Sequence, residues 1–379
     1  MTPQPDVVPP PPADEHRGAR LPSLTGMRFV AAFLVFLAHC SVQGFFADSG
    51  LQSTLQDLFV RASWAGVQFF FMLSGFVLTF SARPGDRITA FWRRRAAKLY
   101  PNNIVVCVVV VLLLLITGGT LTVAQVVPNL LLVQSWAPIP TVISGVNTPA
   151  WSLCCELLFY ALFPLLLPLL DRVPARSLWW LGAGVLAFVV AMPTVAAALP
   201  DGPLTGVNPP VSFPRLWFVY GFPVVRLADF VLGMVLGRLV LSGQWPRVGM
   251  FPATVVVLVS YAATVAAPVL YAADATMAVG LACLIGAGAT TDLAGRPSLL
   301  AAPRAVALGE VSFAFYLVHV PVLTFGHLVL GGRSWSTHEA LVMLTGLFTI
   351  SLVLGRVLNA WVEVPAMNRL ARKRTPTRT

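Results

Sequence analysis

Apolar runs long enough to cross a bilayer recur ten times in this sequence, near residues 27–46, 61–81, 101–118, 150–170, 177–199, 217–241, 251–271, 275–292, 306–330 and 339–362. A hydrocarbon layer about 30 Å thick takes roughly 20 residues of helix, which satisfies its own backbone hydrogen bonds. With 57% hydrophobic residues against 11% charged, no soluble domain could hide the apolar surface. The predicted fold is therefore all-α, a polytopic membrane protein with about ten transmembrane helices. Residues 121–137 are apolar but short and broken by Pro128, so they read as a re-entrant or interfacial piece.

The formal charge of +10 could suggest a nucleic-acid partner, but the cations sit in short clusters between apolar runs, as cytoplasmic loops do. With a cytoplasmic N-terminus, 20 of the 25 Lys and Arg fall on the inner side, which predicts cytoplasmic N- and C-termini. Residues 119–149 then form an outer loop without a single charge, suited to an uncharged amphiphilic ligand or to an interfacial cap. Residues 1–20, with the proline run Pro9–Pro12, read as a disordered tail, 21–366 as the membrane domain and 367–379 as a basic cytoplasmic tail. The first apolar segment keeps a histidine and a glutamine where a small-residue cleavage site would lie, so it is expected to stay as an anchor. Five cysteines in or beside apolar runs have no metal spacing and imply neither a metal site nor a disulfide framework.

Ionisable residues inside such spans are costly and point to function. Arg28 and His39 share the first span about 16 Å apart, which predicts Arg28 at one membrane face and His39 near mid-bilayer. Arg93, Arg94, Arg95 and Lys98 start the third span; they suit a polyphosphate ligand, or equally a positive-inside anchor on lipid headgroups. Glu156 lies about 9 Å into the fourth span. Ser312, Tyr316 and His319 follow i, i+4, i+7 spacing on one helix face. The inferred topology puts His39, Glu156 and His319 in one layer, where a single buried site could contain all three.

Four stretches give the sequence its resemblance to a known family. They are Arg28 and His39 with ten residues between, Phe70–Phe76 (FFMLSGF), Trp151–Tyr160 (WSLCCELLFY) and Gly309–His319 (GEVSFAFYLVH), joined by the closing Trp361–Pro365 (WVEVP). The set resembles membrane-bound acyltransferase family 3, which moves acyl groups from acyl-CoA to hydroxyls of sugars, glycans and natural products. The Arg-rich cluster with Lys98 before Tyr100-Pro101 looks most like the actinomycete branch that acylates macrolide antibiotics, in a bacterial plasma membrane. Lys98 stands where the family usually repeats an arginine, so the bidentate fork is lost there while the charge is kept.

The resemblance implies His39 as general base paired with Arg28, and Arg93, Arg94, Arg95 and Lys98 facing the CoA phosphates. Acyl-CoA, acetyl-CoA for example, would be a co-substrate, with no permanently bound cofactor. Glu156 or His319 would orient the imidazole, and Trp151, Tyr316, His319 and Ser74 would line the substrate site. No residue reads as a covalent nucleophile, since Ser74 has no hydrolase elbow. Some relatives add a soluble domain after the last helix; this sequence stops within twenty residues of it, so the membrane domain is expected to act alone. A proton-coupled transporter is the rival class, and acylation of a cell-surface glycan the rival substrate.

Overall fold

A computed structural model describes residues 19–82 and 85–370, and within them every regular element is a helix. In chain order these are α1 (Pro22–Val42), α2 (Ser49–Phe80), α3 (Ile88–Ile116), α4 (Val123–Leu131), α5 (Pro140–Ile143), α6 (Trp151–Asp171), α7 (Leu178–Ala197) and α8 (Phe213–Leu216). There follow α9 (Pro223–Leu241), α10 (Met250–Ala266), α11 (Val269–Ala272), α12 (Ala278–Leu293), α13 (Pro303–Val329), α14 (Thr337–Leu358) and α15 (Val364–Leu370). All ten expected spans are helical, and eight of them, extended in places by flanking turns, are long and apolar enough to cross a membrane. The other two are α10, with 17 residues, and α9, which carries Arg226, Asp229 and Arg238.

The all-α polytopic reading therefore holds. The two expected tails fall almost wholly outside the described residues, except that α15 carries the helix on to Leu370. The expected short piece is short: α4 spans 9 residues, starts on a capping box between Thr122 and Gln125, and ends at Leu132 in the left-handed region.

Local chemistry explains the ends of the long helices. Pro22 opens α1, where a missing N–H costs nothing, and the carboxylate of Asp292 caps it from another helix, accepting from the Ser23 N–H at 2.9 Å and the Ser23 hydroxyl at 2.6 Å. Asp48 caps α2, and a capping box between Ser336 and Glu339 starts α14.

α2 packs chiefly on α1 and α9, and α1 on α13. Glycines allow these backbones to touch. A Cβ at Gly75 of α2 would sit 1.9 Å from the Phe230 carbonyl oxygen, one at Gly233 of α9 would sit 1.9 Å from that of Met72, and one at Gly309 of α13 would sit 1.9 Å from that of Thr25. Beside the α2–α9 crossing lies an ionic cluster with no access to solvent. Arg226 pairs with Asp229 at 2.9 Å and with Asp274, and the Gln68 amide donates to both carboxylates at 2.8 Å.

Candidate active site

α1 supplies the first two residues of the site. Eleven residues are just over three full turns, so Arg28 and His39 share one face of the helix. His39 lies only three residues before the end of α1, about 25 Å from its start, so it stands nearer the C-terminal end of the helix than its middle. Arg28 is about a turn and a half inside the helix from Pro22.

A cavity of about 130 Å³ brings together Arg28 of α1, Ser74 of α2, Arg95 and Lys98 of α3, Ser152, Glu156 and Tyr160 of α6, and Phe313 and Tyr316 of α13. Its lower part is cationic: the Arg95 guanidinium lies over the rings of Phe91 and Tyr160, at 5.6 and 5.8 Å, and the Lys98 ammonium over Phe313 at 5.9 Å. Among the described residues Glu156 is the one acid in this wall. It accepts from the Tyr160 hydroxyl at 2.8 Å, and the Ser74 hydroxyl donates to the Tyr160 oxygen at 3.3 Å. At the upper end Tyr316 donates to the Pro149 carbonyl at 3.1 Å and lies 3.0 Å from the Ser152 hydroxyl.

Above Tyr316 sits the histidine pair. His319 has no exposed surface, its ring centre is 5.8 Å from that of Tyr316, and its Nε2 is 3.2 Å from Nδ1 of His39. Two carbonyls fix where the protons are. Nδ1 of His319 lies 2.7 Å from the Tyr316 oxygen, and Nδ1 of His39 lies 2.9 Å from the Val35 oxygen. A carbonyl can only accept, so in the neutral rings both Nδ1 atoms carry the hydrogen. Nε2 of His319 is then a lone pair facing the His39 Nδ1–H, and the free lone pair of His39 is on its Nε2.

Several expected site residues stand elsewhere. Glu156 does not meet His39; it lies a layer below, among Arg28, Arg95 and Lys98, because α6 begins inside the protein with Ala150 wholly buried. The partner of His39 is His319. Arg93 is exposed and Arg94 pairs with Asp86, so only Arg95 and Lys98 of the expected cluster face the cavity. Trp151 packs against Phe71 and Tyr220, with ring centres 6.1 and 4.7 Å away, outside the cavity wall. α2 is continuous through Ser74-Gly75; Gly75 makes the crossing and Ser74 faces the cavity.

Sequence reasoning missed Ser152 and Tyr160. With Glu156 they form an i, i+4, i+8 polar stripe on an otherwise apolar helix, a signal that was present. A larger groove of about 780 Å³ between α3, α13 and α14 is lined, among the described residues, by apolar side chains and Gly326, Gly346 and Pro321.

No solved structure matches the chain. Residues 21–358 match the family model described as "Acyltransferase domain". The chain is also similar to Acyltransferase MdmB of Streptomyces mycarofaciens, with 41% identity over 369 residues and 94% of each chain covered. The family match runs from the residue before α1 to the last residue of α14, and with that identity over nearly the whole length it means that this multi-pass membrane protein belongs to acyltransferase family 3.

Proposed function

We propose that this acyltransferase takes its acyl group from acyl-CoA and passes it to a hydroxyl of a macrolide or similar natural product, with His39 as general base. The observation that carries the reading is the His39–His319 pair, which leaves a free lone pair on Nε2 of His39. Neither ring lines the cavity, which holds Arg28, Arg95 and Lys98 and reaches the pair through Tyr316, whose ring is 5.8 Å from that of His319. At about 130 Å³ the cavity is well below the roughly 300 Å³ of a drug-sized pocket. A nucleotide therefore stays at the mouth with Arg93 and Arg94, its phosphates within reach of Arg95, while the thioester end enters.

His39 Nε2 takes the proton of the acceptor hydroxyl as that oxygen attacks the thioester carbonyl carbon. The charge on the imidazolium is shared through its Nδ1–H with the Nε2 lone pair of His319. When the carbon–sulfur bond breaks, the sulfur takes the proton back from His39, so free CoA thiol and an ester leave and the base is restored. Glu156 acts at the donor end, fixing Tyr160 and offsetting part of the cationic charge.

The test is thiol release by detergent-purified protein given acetyl-CoA with a hydroxylated macrolide, with a glycan, or with no acceptor. Macrolide-dependent release that His39→Ala abolishes, while acetyl-CoA binding persists, is the expected result. Release with the glycan alone would change the acceptor, and transfer at full rate by His39→Ala would remove the base. A proton-coupled transporter would release no thiol under any of the three conditions.

A further inference from the structure

We propose that Asn147 is a positioning residue for the histidine pair, taking the place of a backbone N–H that Pro321 removes from α13. The proposal rests on the reading of His39 as the base and His319 as its partner.

In an α-helix the N–H of residue 321 would bond to the carbonyl of Leu317. Pro321 lies inside the continuous α13 and has no N–H, so the Leu317 carbonyl lacks its helical donor. The freed oxygen is not left alone: Nδ2 of Asn147 donates to it at 3.0 Å, and Asn147 is 1% exposed. Leu317 lies between Tyr316, whose carbonyl accepts from Nδ1 of His319, and His319 itself. The same stretch of chain holds the preceding residue as well, since Pro149 accepts the Tyr316 hydroxyl and Ser152 lies beside it. The segment 147–152 thus grips α13 over the turn that carries His319, at the point where the proline has weakened it.

Without the Asn147 amide, the Leu317 oxygen becomes a buried acceptor with no donor, in the turn that fixes the His319 Nδ1–H. Rotation of that turn moves His319 Nε2 away from His39. A group acting in this way alters the chemical step and leaves acyl-CoA binding, which belongs to the cationic end of the cavity, nearly untouched.

Pro321→Ala supplies the missing N–H, so a double-mutant cycle tests the idea. The readout is kcat and KM for acetyl-CoA with a hydroxylated macrolide, per mole of folded protein. Asn147→Ala should lower kcat about 10- to 100-fold, the scale of a misplaced catalytic group, and change KM less than about twofold. In the Pro321→Ala background the same substitution should cost under about threefold, because Leu317 then has its own partner. Asn147→Leu, which roughly keeps the shape and loses the donor without adding a charge, gives the same readout if the alanine variant does not fold. Unchanged kcat in Asn147→Ala, or an equal loss in both backgrounds, overturns the proposal. His39→Ala is run alongside: if it transfers, the base and the positioning role fall together, whereas an inactive His39→Ala with an equal loss in both backgrounds removes only the role of Asn147.

Discussion

Replacing Gly309 by alanine tests whether the α1–α13 crossing sets the separation of the two histidines. The added Cβ would lie 1.9 Å from the Thr25 carbonyl oxygen, against a practical minimum of 3.0 Å, so the helices must part by about 1.1 Å. The obstacle is backbone and cannot rotate away. Overpacking of this kind costs about 1–3 kcal/mol, partly offset by the roughly 0.5–1 kcal/mol that alanine gains over glycine inside a helix.

Gly346→Ala in α14 is the matched control. It has no atom within 4 Å, so it takes the propensity gain alone, and the difference between the two variants isolates the steric cost. A rigid separation of 1.1 Å would also lengthen the 3.2 Å contact between the two imidazole nitrogens, to at most about 4.3 Å, weakening or breaking it. Thermal unfolding in detergent and thiol release from acetyl-CoA are the two assays. Gly309→Ala should melt below Gly346→Ala and lose about a hundredfold in kcat, whereas Gly346→Ala should match the parent. Equal melting and equal activity for the two variants would refute the idea that this crossing holds the pair.

Three further outcomes follow from the placement of charges. Arg95→Ala should raise KM for acyl-CoA, more so at low salt where phosphate contacts are less screened, and exposed Arg93→Ala should raise it less; an unchanged KM in both with only lower expression would make the cluster a topology anchor. Glu156→Gln should shift KM for acyl-CoA more than kcat, because the carboxylate lies among the cations and away from His39, and the reverse split would return Glu156 to the chemistry. Asp292→Ala should destabilise the protein by about 1–2 kcal/mol through loss of the α1 cap, and an unchanged melting temperature would show the cap to be idle.

The pattern of spans was legible because each depends on a local property, a run of apolar residues about 20 long. The shared face of Arg28 and His39 was legible for the same reason, since helix periodicity alone fixes it. Depth was not. Glu156 was expected near His39 from its distance to the start of a span, but that start is buried: the segment before it turns inward on Asn129, Gln134 and Asn147, all 0–1% exposed. A charge-free sequence cannot reveal whether it lies on a surface or folds into the protein. The relation of Asn147 to Leu317 joins residues 170 apart in sequence and depends on a missing N–H, so no periodicity could disclose it. Arg93 and Arg94 were grouped with Arg95 by adjacency, yet successive residues on a helix point about 100° apart.

The Arg226 cluster bears on how the chain is made. An arginine or aspartate costs up to about 2.5–3.5 kcal/mol to insert in an isolated helix, most at its centre, and Arg226 and Asp229 both lie in the first two turns of α9, so α9 is a poor substrate for a translocon acting on one segment at a time. Gln68 has already been synthesised in α2 when α9 emerges, and the glycine crossing lets α2 receive it closely. Asp274, the second carboxylate on Arg226, comes 45 residues later than Asp229. Biogenesis is thereby ordered: α9 is expected to wait at the translocon against α2 and to become fully committed to the bilayer only once the segment before α12 has been translated.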